Sequence, residues 1–265
     1  MTDAPSSSLS FSGFKPVRDE GGLRFRYAPP AMLEGVFSAE LLCRGSLLND
    51  ARGAPSVILQ RLGVAPREGR VIAPWQVHGT AVLEGRRIWG FPQRPKADGI
   101  HLDRAFDPSG SVRGSLRFAD CTPIVAASDF PRPWVLMLHS GFKGTLLRFF
   151  SVAWSGLRSF YGSLRPERTF VWLGPAVGAC CYTRKMSDPL TLRALRTWDA
   201  DAVFAQNGEA GFDLLRAIEG QARDEGIPAE NIYTLKLCTA CNSDIFYSYR
   251  AGDLDDRMIL FAQIL

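Results

Sequence analysis

The sequence predicts an α+β fold, and three observations carry that expectation. Apolar runs of strand length outnumber amphipathic helical stretches. The helical stretches are interspersed among the strands without strict β–α–β alternation. No segment repeats at a fixed period. Taken in order, residues 1–15 open Ser-rich and are expected to be flexible, with 16–265 forming one domain. Leu23–Tyr27 alternates apolar and basic residues, as a half-buried strand does. Ser56–Leu62 reads as a short helix. Residues 85–114 are rich in Gly and Pro but interrupted by apolar positions, which describes long loops decorating one domain rather than a hinge. Val112–Ala119 is half-buried in pattern, and Pro123–Ala127 and Trp134–His139 are short apolar runs of the kind found in buried strands. Thr145–Phe160 places Leu146, Phe149, Phe150, Trp154 and Leu157 on one broad helical face. Thr169–Leu173 is another strand. Phe212–Glu225 places Leu214, Leu215 and Ile218 on one face and stops at Gly226, with Pro228 beyond. Ile232–Leu237 and Met258–Ile264 are the last strands.

Composition narrows the function classes. The net charge of +4 is scattered, and Arg86-Arg87 and Arg184-Lys185 are the only adjacent basic pairs. That pattern describes a solvated surface and no nucleic-acid groove. No apolar run approaches the roughly 18 residues of a membrane span, and the opening MTDAPSSSLSFSGF has no secretory signal architecture. Six cysteines are too few for a disulfide scaffold at this length and read as reduced thiols, so a cytoplasmic location is expected. Nothing in the sequence fixes an oligomeric state.

The chemistry concentrates in three short motifs. Two of only three histidines lie in glycine-flanked segments, Gln76-Val77-His78-Gly79 and His139-Ser140-Gly141-Phe142-Lys143-Gly144. Between them stands Ala119-Asp120-Cys121-Thr122-Pro123. Each chemical residue falls at the end of an expected strand, where loops converge. Two imidazoles and one thiolate suit a tetrahedral Zn²⁺ or a similar ion, such as copper, with a fourth position left open for water or substrate. The spacing equally allows two core histidines and an apolar filler cysteine. Gly141-Phe142-Lys143-Gly144 leads into the expected helix, where free amides and the Lys143 ammonium suit an anion; a plain glycine turn is the other reading. Asp98 and Asp120 are candidate acid/base or ligand-orienting carboxylates, or simply turn residues. Cys180, Cys181, Cys238 and Cys241 offer four thiolates for a structural zinc site, with a normal CxxC half and an awkward vicinal pair. His101 has no motif around it.

In order, QVHG (76–79), ADG (97–99), ADCTP (119–123), HSGFKG (139–144), GPAVGACCY (174–182), FDL (212–214), LCTAC (237–241) and FYSYR (246–250) resemble one family. It is the laccase-domain family, also called YfiH-like, multicopper polyphenol oxidase-like or purine nucleoside phosphorylase. The resemblance implies a four-layer α/β/β/α sandwich and a metal held by His78, Cys121 and His139. It also implies phosphorolysis of adenosine, inosine, guanosine or methylthioadenosine with inorganic phosphate, and deamination of adenosine. Peptidoglycan-precursor editing is attached to some bacterial members. The family's HAGWRG-like segment reads HSGFKG here, so Lys143 keeps a charge but loses the two-pronged geometry of Arg. Thr183 replaces the usual Glu after CCY.

The leading expectation is therefore a metal-dependent enzyme with a small-molecule nucleoside as its partner. In it Cys121, Asp120 and Asp98 are catalytic, and Lys143, Gly144 and Arg250 grip phosphate. One alternative is a metal-free hydrolase or deamidase using Cys121 and His139. Another is a catalytically impaired member that binds a nucleoside or a protein. Multicopper oxidase chemistry needs several copper centres, which three histidines cannot supply.

Overall fold

A computed structural model describes residues 11–20, 22–45, 70–85, 94–108, 112–206 and 208–265. The strands begin with β1 (Phe14–Asp19), β2 (Gly22–Tyr27), β3 (Phe37–Leu42), β4 (Arg70–Ile72) and β5 (Val82–Glu84). The central ones are β6 (Gly99–Asp103), β7 (Val112–Phe118), β8 (Thr122–Ser128), β9 (Trp134–Ser140) and β10 (Thr169–Leu173). β11 (Thr183–Lys185), β12 (Val203–Gln206), β13 (Glu209–Phe212), β14 (Ile232–Thr234) and β15 (Met258–Ile264) complete the set. The helices are α1 (Phe142–Leu146), α2 (Phe149–Tyr161), α3 (Pro189–Thr197) and α4 (Leu214–Asp224).

The strands form two six-stranded sheets, β1-β2-β3-β15-β7-β4 and β14-β10-β8-β9-β6-β5, and a small sheet β11-β13-β12. Period-two alternation explains how the second large sheet feeds two cores at once. Val125, Ala127, Val135, Met137, Phe170 and Trp172 face the first sheet, where Phe25, Leu41, Leu116 and Leu260 meet them. Their neighbours Ile124, Ala126, Trp134, Leu136, Leu138 and Val171 face α2 and α4. Both faces are buried, so β8 and β9 read as continuous apolar runs.

The described residues thus form three layers, sheet on sheet on helices, in an α+β arrangement. The expected helix Ser56–Leu62, which bears on a fourth layer, lies outside the described residues, as does the start of the segment expected to be flexible. Within that segment the chain is already packed from Phe14, which pairs with Tyr27 across β1 and β2 and is buried.

Several expectations need correction. The helix expected over Thr145–Phe160 is two helices, and Arg148 between them has φ 53°. Two different cores require the break: α1 buries Phe142 and Leu146 against Val177 and Phe212, whereas α2 buries Phe149, Phe150 and Trp154 against the large sheet. The turn-rich stretch 85–114 contains β6, a fully buried strand paired with β9. The strand expected over Ile232–Leu237 ends at Thr234. The helix expected from Phe212 starts at Leu214, because Phe212 belongs to β13 and the Asp213 carboxylate caps the helix by accepting from the Arg216 amide. α3, capped by Asp188 with Pro189 in its first turn, is an element that the apolar pattern did not reveal.

A candidate metal centre at the sheet rim

The centre is organised by Asp98, which immediately precedes β6 and is wholly buried. Its carboxylate accepts from the backbone amides of Val77 (3.2 Å), His78 (2.9 Å) and Gly79 (2.7 Å), and from His139 Nδ1 (2.9 Å). Three converging amides fix the QVHG segment as a loop around one carboxylate, with His78 in the left-handed region at φ 58°. His78 is therefore not at a strand end, as expected, but on a loop pinned at both sides. Gln76 supplies the other pin by donating to the Arg117 carbonyl and accepting from its amide, both at 2.8 Å.

Cys121 lies in the turn that carries the chain from β7 in one sheet to β8 in the other. Asp120 precedes it at φ 83° and is held there by three hydrogen bonds. Its Oδ1 accepts from Thr239 Oγ1 (2.7 Å), its Oδ2 from the Arg250 amide (2.8 Å) and its carbonyl from the Val177 amide (3.0 Å). A left-handed non-glycine residue costs about 1–3 kcal/mol, which these bonds offset. The structure therefore brings the two carboxylates to different tasks. Asp98 orients the histidines, and Asp120 ties three distant segments behind the cysteine.

The ligand atoms of His78, Cys121 and His139 lie within 4.8 Å of one another. The two imidazole rings meet edge-on at 5.0 Å, and Phe118 packs on His139 at 5.3 Å. Because Asp98 takes Nδ1 of His139, the other nitrogen of that ring is the one available to the centre. Space there is tight: a Cβ on Gly141 would lie 2.5 Å from Cys121 Sγ, so only glycine fits. Burial pushes the Cys121 thiol up, but His139 and His78 outweigh it and hold the thiol at about 6. Burial pushes His139 down, but the Cys121 thiolate and Asp98 outweigh it and raise the imidazole to about 9. Asp98 itself, opposed by burial, is held below its ordinary range by His139 and the backbone amides. Two imidazoles, a ready thiolate and an orienting carboxylate make a donor set that fits a borderline transition metal such as zinc.

A cavity of about 680 Å³ opens on the triad, a size that suits a small organic ligand. Six cationic side chains line it: Arg94, Arg117, Lys143, Arg184, Arg250 and Arg257, against one acid, Asp120. Arg94 and Arg257 spend their guanidinium groups on backbone carbonyls, and Arg184 is paired with Asp188. Arg250 gives one nitrogen to the Thr183 carbonyl and lies over the Tyr182 ring at 4.6 Å. Lys143 is exposed to the cavity and has no hydrogen-bond or ion-pair partner among the described residues. Gly144 is buried beneath Ser140 and is not part of the lining. The Phe142-Lys143-Gly144 run is the first turn of α1 rather than a loop leading to it. Sequence reasoning named Arg250 but missed the other four arginines and two exposed aromatics of the lining, Trp75 (57% exposed) and Tyr249 (57%). The readable signal was their position, since Trp75 adjoins QVHG and Tyr249 lies inside FYSYR.

The architecture is an α+β sandwich whose rim carries a His–Cys–His cluster able to hold a metal ion beside a basic cavity. Residues 53–264 match the family model described as multi-copper polyphenol oxidoreductase laccase, and the chain belongs to that family. Purine nucleoside phosphorylase YlmD of Geobacillus stearothermophilus is 31% identical over 159 residues, which is 59% of this chain and 55% of that one. Purine nucleoside phosphorylase LACC1 of Mus musculus is 31% identical over 140 residues, 49% of this chain and 30% of that one. A purine nucleoside phosphorylase of Staphylococcus epidermidis is 25% identical over 73% of this chain and 72% of its own length. The chain thus spans about half the length of the YlmD relative and under a third of LACC1. Among solved structures, YlmD of Geobacillus stearothermophilus superimposes with a TM-score of 0.72 at 23% identity, covering 91% of this chain and 96% of that one. The hypothetical protein YfiH of Bacillus licheniformis gives 0.71 at 22%, covering 86% and 93%. These likenesses carry the fold. No helix of the described residues is long and apolar enough to cross a membrane.

Proposed function

We propose that the chain is a metal-dependent phosphorylase of purine nucleosides, with inorganic phosphate as co-substrate. The observation that carries this reading is the pairing of a His78–Cys121–His139 centre with a cavity that offers exposed aromatic rings together with the unpaired Lys143 and five arginines. Trp75 and Tyr249 present faces on which a purine stacks, while Lys143 and Arg250 attract the phosphate dianion. Held by the two imidazoles and the thiolate, a zinc or copper ion supplies Lewis acidity at the substrate. Asp98 keeps His139 in one tautomer and His78 in its left-handed loop, so that the centre is formed before substrate arrives. A phosphate oxygen attacks the ribose anomeric carbon, the bond to the purine nitrogen breaks, and the base leaves with a proton from solvent. Adenosine deamination is a second activity that the same cavity admits. The activity for which the relatives are named supports this reading, and six free cysteines support a cytoplasmic setting. We place no nucleic acid or membrane among its partners.

A metal-free hydrolase using Cys121 and His139 is favoured by one observation, the depressed thiol beside a raised imidazole. Pure, metal-characterised protein incubated with adenosine, with and without phosphate, tests the first reading. Adenine and ribose-1-phosphate appearing only with phosphate is the expected result. Turnover that survives exhaustive chelation and is destroyed by alkylating Cys121 would replace it with the second.

A further inference from the structure

We propose a second metal site, independent of the first: a closed four-thiolate zinc site formed by Cys180, Cys181, Cys238 and Cys241. The four Sγ atoms lie within 4.8 Å of one another, all reduced, with Cys180 and Cys181 at 3.5 and 3.4 Å from Cys241. Tetrahedral zinc with sulfur at about 2.3 Å spaces its ligands about 3.8 Å apart. The observed cluster is close to that spacing, whereas a disulfide joins two sulfurs at about 2.05 Å and leaves two over. The set has no imidazole or carboxylate, and four thiolates complete a tetrahedral zinc, which is the make-up of a structural and not a catalytic ion.

The vicinal pair, awkward in sequence, is accommodated by the backbone. The amides of Cys181 and Tyr182 both donate to the Gly178 carbonyl at 2.9 Å, and this tight turn sends both thiols towards Cys241. A Cβ on Gly178 would crowd Cys180 Sγ (3.2 Å) and the Cys238 Cβ (3.3 Å), so a side chain there would press on the cluster. The Gly178 amide instead donates to Cys238 Sγ at 3.3 Å, as amides do to metal-bound thiolates. The facing CxxC turn is set by the Asn242 amide and side chain, both donating to the Cys238 carbonyl. A parallel bridge between Ala176 and Cys238 holds the halves together. Binding replaces four S–H bonds by four bonds to zinc and releases four protons to solvent.

The location gives the ion a task. Val177 and Thr239, one in each thiol-bearing segment, are two of the three residues that bond Asp120 behind Cys121. Tyr182, next to Cys181, lines the large cavity. An ion joining the two segments stiffens the wall of that cavity without touching substrate.

The test uses the full chain carrying Cys121→Ala, which removes the thiolate of the first centre and separates the two sites. Metal-free, reduced protein is titrated with Co²⁺ and then with Zn²⁺. The expected result is one cobalt per chain, with intense near-ultraviolet thiolate-to-cobalt absorption that one equivalent of zinc erases. Cys241→Ser and Cys180→Ser, both at exposed positions, should each lose that absorption and the rise in melting temperature on adding zinc. In the unaltered chain, total metal should fall from two ions to one in Cys241→Ser. Absence of the absorption from folded Cys121→Ala protein with four free thiols would overturn the proposal. A disulfide among these four cysteines in protein isolated anaerobically would overturn it as well.

Discussion

One oxygen of Asp98 accepts both the Nδ1–H of His139 and the backbone amide of His78, each at 2.9 Å. Two candidate ligands from different parts of the chain are therefore oriented by a single atom. Asp98→Asn is expected to weaken metal binding about 10–100-fold and to cost about 1–3 kcal/mol of stability, since the NH2 group that replaces one carboxylate oxygen cannot accept from the Gly79 amide. Chelator competition and urea unfolding measure the two effects. Unchanged metal affinity in a folded Asp98→Asn protein would remove Asp98 from this role.

Gly141→Ala tests the packing of the centre rather than its charge. The added methyl would lie 2.5 Å from Cys121 Sγ, so the cysteine must move. Overpacking of this kind costs about 1–3 kcal/mol. Metal content should drop sharply while circular dichroism stays native-like, and a fully loaded Gly141→Ala protein would contradict the tight contact.

The pH dependence follows from a thiol at about 6 and an imidazole at about 9. Between these values the metal-free centre holds a thiolate and a protonated His139, and an arriving metal displaces one proton. Affinity should thus rise about tenfold per pH unit between about 6 and 9, and more steeply below 6, where Cys121 must also lose its proton. In metal-free protein near neutral pH, Cys121 should alkylate ahead of Cys180, whose thiol is pushed up to about 11 by burial and by its cysteine neighbours. Mass spectrometry of labelled peptides across pH reads both. Labelling of Cys121 with a midpoint near that of an ordinary thiol would refute the assignment.

Lys143→Met should raise KM for phosphate by about tenfold or more, the scale of one charge-assisted hydrogen bond at about 1.5–3 kcal/mol. Lys143→Arg should retain most of the affinity. Equal effects of the two substitutions would show that the cation is not what matters there.

Trp75→Ala removes an exposed ring from the cavity mouth. It should raise KM for the nucleoside several-fold, change stability by no more than about 0.5 kcal/mol and leave KM for phosphate unchanged. A loss in kcat alone would instead place Trp75 in the chemistry.

The candidate ligands His78, Cys121 and His139 could be named because each sits in a compact motif, and the structure brings their ligand atoms within 4.8 Å of one another, with Gly141 leaving room for Cys121. Asp98 was legible as a carboxylate able to fix a histidine. Asp120 was read as a candidate acid/base or ligand-orienting carboxylate, or a turn residue; its ties to Thr239 and Arg250 could not be read, because those partners lie 119 and 130 residues away. Beyond Lys143 and Arg250, the basic cavity was illegible for the same reason, since its other arginines come together only through the sandwich. β6 was hidden by flanking glycines and prolines. The break at Arg148 was hidden because both halves of the apolar face are real and only their cores differ.

β15 lies between β3 and β7, so the first sheet is interrupted until the last of the described strands is in place. Arg250 and its tie to Asp120 come just before that strand. During synthesis the emerging chain can make His78, Cys121 and His139 long before it can build the wall beside them. Closure of that wall therefore waits on β15 and not on the residues of the centre themselves, and loss of this one strand would leave a chain with every candidate ligand and an open first sheet.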